Sequence, residues 1–181
     1  MTLRDKLFSF DGRLRRRDWW LWSIGTGIAY FTIAMVAGPI VFGQQWGAMT
    51  DWGQASRIAP WQLATFDVVT YAPSLWIQTA LATKRTHDRN NGAALAAGMT
   101  VFYGLLTFGA TAVDLLPSGM LTPASIETLL LTLNGVGALI GFYLFVVLGV
   151  LDGTHGPNRF GPSPKGLSGE TPAFMTPGGL E

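Results

Sequence analysis

The chain contains no cysteine and only two histidines, His87 and His155. Disulfides, thiolate metal sites and cysteine nucleophiles are excluded, and imidazole chemistry has few centres. Charge is scarce as well. Asp, Glu, Lys and Arg make up 13% of the 181 residues against 49% hydrophobic ones, where globular domains carry roughly 25% charge. No Walker-type phosphate loop, no HExxH helix and no internal repeat occurs, and the length suits one domain with no separate catalytic module.

The net charge of +1 conceals segregation. Arg4, Lys6, Arg13, Arg15, Arg16 and Arg17 lie in the first 18 residues. Lys84, Arg85 and Arg89 form a second group, Arg159 and Lys165 a third, and Arg57 stands alone. Between them run long apolar stretches. From Trp19 to Thr50 no residue is charged. A hydrocarbon core of about 30 Å takes about 20 helical residues, so a first span is expected at 19–42. Arg13–Arg17 resembles the basic start of a signal peptide, but the apolar run far exceeds an h-region of roughly 7–15 residues, so an anchor is expected.

A second span at 61–83 is the weakest, with Gln62, Asp67, Pro73 and Gln78 inside it. A mid-helix Asp costs about 3 kcal/mol to insert, while each large aliphatic residue returns only about 0.3–0.6. This segment inserts only beside protein neighbours. Spans at 92–113 and 126–151 are clearer, separated by a turn containing Pro117, Ser118, Gly119 and Pro123. The fold class expected is all-α: a polytopic membrane protein, a four-transmembrane-helix bundle with N- and C-termini cytoplasmic. Residues 1–18 form a basic N-terminal segment, and 152–181 a Pro- and Gly-rich irregular tail. Four spans leave all three basic groups on the cytoplasmic side, whereas three would export Lys84, Arg85 and Arg89. Trp19, Trp20 and Trp22 at one boundary and Trp46, Trp52 and Trp61 at the other fit interfacial aromatic belts.

Two groups of residues are candidates for chemistry. Asp67 lies 17 residues before Lys84, roughly 25 Å along a helix. Asn134, 17 residues before Leu151, and Thr107 fall at a similar height, so an intramembrane polar cluster of Asp67, Thr107 and Asn134 is expected. A structural hydrogen bond outweighs a proton relay here, because relays need a chain of ionisable groups. Gly135, Gly137 and Gly141 superficially resemble a dinucleotide-binding motif, but they follow no strand, and Gly137 and Gly141 instead suit close helix packing.

The second group borders the spans. Phe10-Asp11-Gly12-Arg13 runs into Arg15, Arg16, Arg17, Asp18 and Trp20; Lys84-Arg85-Thr86-His87-Asp88 follows the second span; Gly156-Pro157-Asn158-Arg159-Phe160-Gly161 follows the fourth. These three ordered motifs resemble the DUF805 family of small, YhaH-like bacterial inner-membrane proteins, over about 10–164. The family pattern is met at Phe10, Gly12, Arg13, Arg16, Asp18 and Trp20, then Arg85, His87 and Asp88, then Gly156, Asn158, Phe160, Gly161 and Pro164. Lys84 stands where the family has Arg, and its Ser-Gly-Trp is reduced to Asn91-Gly92-Ala93. The resemblance implies a multi-pass protein of the bacterial inner membrane and names no activity.

Candidates for anion binding at this face are Arg13, Arg16, Asp18, Arg85, His87, Asp88, Asn158 and Arg159, since arginine binds carboxylate or phosphate bidentately. The competing reading is an intramolecular salt-bridge and cap network joining the three motifs. A metal at His87, Asp88, Asp152 and His155 is not expected, because adjacent helical residues diverge. No cofactor, nucleic-acid partner or catalytic constellation is expected. Membrane lipids are the expected partners, with self-association or a membrane-protein partner along the glycine-bearing first and fourth helices. The function expected is a non-enzymatic bundle whose basic face binds an anionic ligand, lipid headgroup or partner protein, ahead of a small transporter using Asp67.

Overall fold

A computed structural model describes residues 2–43, 46, 58–117 and 119–165. Trp52, Arg57 and Ser118, and the tail beyond 165, lie outside the described residues. Among the described residues the protein is all-helical. The helices are α1 (Leu3–Phe8), α2 (Arg16–Phe42), α3 (Pro60–Asp88), α4 (Ala94–Thr107), α5 (Gly109–Asp114) and α6 (Pro123–Leu144). A π-helical turn, π1 (Phe145–Val150), continues α6.

Local chemistry sets several ends. In α1, Thr2 and Asp5 cap each other reciprocally, Asp5 N–H donating to Thr2 Oγ1 at 3.2 Å and Thr2 N–H to Asp5 Oδ2 at 3.0 Å. Helices α3 and α6 open on Pro60 and Pro123, whose missing N–H is harmless in a first turn. Thr122 Oγ1 caps α6 by accepting from Ser125 N–H. Just beyond α3, Asn90 takes φ 58°, a left-handed stop that asparagine tolerates.

The long helices pack antiparallel in sequence order. Along α2 and α3, Leu14 N–H donates to Lys84 O, Gln78 Nε2 to Ser23 O, Tyr30 meets Tyr71, and Phe42 meets Phe66. Tyr71 meets Phe108 at the far end of α4. Between α4–α5 and α6, Gly141 receives the Tyr103 ring, Gly137 lies beside Leu106, and Gly109 faces Leu133. The small pair on α6 therefore packs within the chain, where a Cβ at Gly141 would already sit 3.4 Å from Tyr103. The ring of four closes between α2 and π1, where Trp20 stacks edge-on against Phe145.

Among the described residues, two helices are long and apolar enough to cross a membrane, α2 and the continuous α6–π1. Only 6% and 22% of their apolar windows are buried, so neither resembles the core helix of a water-soluble domain. The expected second span falls within α3, which continues through Asp88. The Lys84–Asp88 motif is thus helical rather than a loop, with Arg85 and Asp88 paired one turn apart. The expected third span is split at Phe108 into α4 and α5. The start of the tail, 152–165, is irregular yet tied to the bundle by the bonds described next.

A candidate functional site at the basic end of the bundle

The three motifs converge at one end of the bundle, around Asp88. Its carboxylate is buried between two guanidinium groups. Arg13 Nε and Nη2 both donate to Oδ1, at 3.2 and 3.0 Å, and Arg85 Nη1 donates to Oδ2 at 2.7 Å. Arg13 is 5% exposed and Arg85 fully buried. Taking such charges out of water costs several kcal/mol per ion, so the remaining donors must also be satisfied. Arg13 Nη1 donates to Gly156 O at 2.7 Å and Gly161 O at 3.2 Å, and Nη2 reaches Thr154 O at 2.9 Å. One arginine from the entry motif thereby grips both the end of α3 and the exit motif.

The remaining donors converge on the open end of α6–π1. The last carbonyls of any helix lack intrahelical partners and carry its negative dipole end. Five consecutive ones here accept from side chains of α2, of α3 and of Arg89 just past α3. Arg89 Nη1 donates to Val147 O, Arg85 Nε to Leu148 O, Trp20 Nε1 to Gly149 O, Arg16 Nη1 to Val150 O, and Arg85 Nη2 to Leu151 O. Glycine is needed for this approach. A Cβ on Gly149 would lie 2.7 Å from the Trp20 ring, and one on Gly153 only 1.9 Å from Asp88 Oδ2. Lys84 caps α1 in the same manner, its buried ammonium donating to Asp5 O and Lys6 O. Burial pushes that ammonium down to about 8.

His87, next to Asp88, points elsewhere. Its Nδ1 bonds Gly12 O at 3.2 Å; a carbonyl only accepts, so Nδ1 carries the proton. The imidazole stacks on Phe160 with centroids 3.8 Å apart, and Arg159 covers that ring's other neighbourhood at 4.7 Å. Burial pulls the His87 pKa below its ordinary value. Asn158 Nδ2 donates to His87 O at 2.9 Å while its Oδ1 accepts from Phe160 N–H. A tight turn, closed by paired bonds between Asn158 and Gly161, presents the ring. Gly156 and Gly161 hold φ 73° and 124°, conformations glycine favours.

Of the sequence candidates, Arg13, Arg85, His87, Asp88 and Asn158 thus meet in one network. Arg159 lies at its edge, bonded to Asn90 O. Arg16 and Asp18 lie on the first turn of α2, Arg16 3.6 Å from Asp152 and Asp18 3.6 Å from Arg17. Sequence reasoning missed Thr154, whose N–H and hydroxyl both donate to Asp88 O, and Gly153. In the other cluster, Asn134 donates to Leu130 O and Thr107 to Gly104 O, each on its own helix. Both line one groove between α4 and α6, while Asp67 on α3 is in electrostatic range of the Tyr30 phenol. No group of three His, Asp or Glu residues suited to a metal occurs among the described residues.

The motif residues of this clasp lie inside the region matched by the model of a protein family of unknown function, DUF805, which covers residues 7–162. The chain belongs to the DUF805 family. It is 32% identical over 161 residues to the uncharacterized protein YiiR of Escherichia coli K12, covering 89% of each chain. The YiiR protein of Escherichia coli O157:H7 matches to the same extent. No solved structure matches. In this chain the three motifs form the three sides of one buried-arginine clasp.

Cations remain outside the clasp. Arg17 is 84% exposed in its side chain and Arg16 46%. With Arg15 and Lys165 they border a cleft of about 280 Å³ that also touches Asp88 and Asp152. Asp88 is neutralised by Arg13 and Arg85, so the cleft carries a surplus of positive charge.

Proposed function

We propose that this DUF805 chain is a non-enzymatic, multi-pass protein of the bacterial inner membrane whose cytoplasmic rim binds the phosphate of anionic lipid headgroups. The observation that carries this reading is the division of its cations. Arg13 and Arg85 are consumed inside the clasp, while Arg15, Arg16, Arg17 and Lys165 border an open cleft. That cleft lies one turn from Trp19, Trp20 and Trp22, where interfacial tryptophans belong. Surface attraction to anionic lipid contributes about 1 kcal/mol per basic residue.

Four crossings with both ends cytoplasmic complete the proposal. Its support is register: α3 runs beside α2 from Leu14–Lys84 at one end to Phe42–Phe66 at the other. If α2 spans the bilayer, α3 spans alongside it, with Gln78 bonded to Ser23 O and the Thr65, Thr70 and Thr79 hydroxyls to carbonyls of their own helix. The same holds for α4–α5 against α6. The chain has no cysteine, so Asn91→Cys gives a unique exposed label. It should react with an impermeant maleimide only after the cells are opened; labelling of intact cells overturns the topology.

The headgroup reading is tested by washing the purified chain in detergent and measuring retained phosphatidylglycerol against phosphatidylethanolamine. Arg17→Gln/Lys165→Gln should lower the preference for the anionic lipid by about 2 kcal/mol together, and added salt should lower it too. An unchanged preference ends the reading. Arg13 and Arg85 are unsuitable for this test, because their loss opens the clasp whatever the ligand.

A further inference from the structure

A second cavity, of about 390 Å³, lies inside the bundle just beyond the rim. Trp19 and Trp20 stand at one end, Tyr30 and Tyr71 line it further along, and Gly27 and Gly141 widen it. From Trp19 to Tyr30 is eleven residues, roughly 16 Å along α2. One leaflet occupies about half of a 30 Å hydrocarbon core, close to the same length. The cavity therefore has the depth of a single inner-leaflet acyl chain.

Its chemistry also suits hydrocarbon. Its wall is mostly aromatic rings, leucines, glycine and alanine, and several of its polar groups are already engaged: Thr100 Oγ1 donates to Ala96 O at 2.7 Å, Gln78 Nε2 to Ser23 O at 3.2 Å, and Trp20 Nε1 to Gly149 O at 3.1 Å. A polar ligand would find few free partners, whereas a chain needs none. Access is lateral. Helix α2 meets α6–π1 chiefly through π1, so beyond that contact α2 and α6 part. Gly27 faces this opening, and a Cβ there would touch nothing.

The geometry points to a lipid site in which one acyl chain of an anionic inner-leaflet phospholipid fills this cavity, with its phosphate on the Arg15–Arg17 rim. The headgroup half rests on the function proposed above; the chain half rests on the cavity. A chain held between four helices exchanges more slowly than one on the outer surface of the bundle.

The test uses the purified full chain, washed in detergent, with retained phosphatidylglycerol counted per chain. Wild type should keep about one lipid, as sized by this cavity. Gly27→Leu, which fills the opening and favours helix, should keep at least ten-fold less. Gly25→Leu, where a Cβ also meets nothing but no cavity is filled, should match wild type. Equal retention by Gly27→Leu and wild type overturns the chain site; the rim reading survives if Arg17→Gln/Lys165→Gln still loses its anionic preference. Loss with Gly27→Leu but no effect of the charge variant removes the headgroup half and leaves a chain site indifferent to charge. A measurement on wild type guards against misfolding. Phosphatidylglycerol carrying a photoreactive diazirine at its chain end should label Tyr30 and Tyr71. Labelling confined to outward residues such as Ile28 and Phe31 overturns the site.

Discussion

The two ends of this bundle are held by opposite means. At the basic end, α3 is buried from Ala80 to Thr86 and again at Asp88, with an arginine, a lysine and an aspartate among its least exposed side chains. Toward the other end, from Pro60 to Pro73, the same helix has no buried residue. Contacts there are ring-on-ring meetings, Phe66 with Phe42 and Trp46, and Tyr71 with Tyr30 and Phe108. The difference teaches where specificity resides. In the membrane setting proposed above, apolar side chains gain little by meeting one another, whereas buried charge is strongly unfavourable unless every partner is present. The clasp fixes register, and the helices beyond it are free to part around a cavity.

Removing the clasp's anion is the strongest way to break that comparison. Asp88→Ala leaves Arg13 and Arg85 buried without a counter-charge and should cost about 3–5 kcal/mol. Thermal unfolding in detergent should show a large drop; a melting temperature equal to wild type would mean the clasp does not hold the fold. Next comes Gly153→Ala, which puts a methyl on Asp88 Oδ2 and should cost roughly 1–3 kcal/mol. Proteolysis should then become faster in 152–165, with the apolar spans still protected. At the loose end, Asp67→Asn should shift stability by less than about 1 kcal/mol, the range of intramembrane polar contacts. A proton flux in reconstituted vesicles that wild type carries and this variant lacks would instead favour the transporter alternative.

The smallest effect is pH. The fold depresses the His87 pKa below 6.5, first through burial and also through Arg159, against the opposing pull of Gly12 O and Asp11. The unfolded chain therefore takes up the proton first. The contribution is complete above about 6.5 and is lost as pH falls through the lower folded value. His87→Gln should flatten the pH dependence of melting between pH 7.5 and 5.5; an equally steep profile would place the titrating group elsewhere.

Much of this was legible in the residues, for identifiable reasons. Hydrocarbon length and charge segregation anticipated the apolar helices near 19–42 and 126–151, and Pro60 and Pro123 mark helix starts. The DUF805 motifs were visible as three charged, glycine-bearing segments. Their mutual bonding was not, because Arg13 has Asp11, Asp18 and Asp88 to choose from in sequence. Its partner is fixed only when α2 and α3 pack antiparallel. The acceptors at Val147 to Leu151 were invisible for a different reason: they are backbone carbonyls, which no residue letter records.

By itself the sequence determined the all-helical class, the positions of the apolar stretches and the membership of a family, since these follow from local composition and ordered motifs. Tertiary structure alone decided which cations are buried and which face outward. That division depends on distances between groups some 60 to 150 residues apart, such as Arg13 to Gly156 and Arg85 to Leu148. A guanidinium becomes a structural clasp or a ligand-binding group according to whether the folded chain has already satisfied its donors.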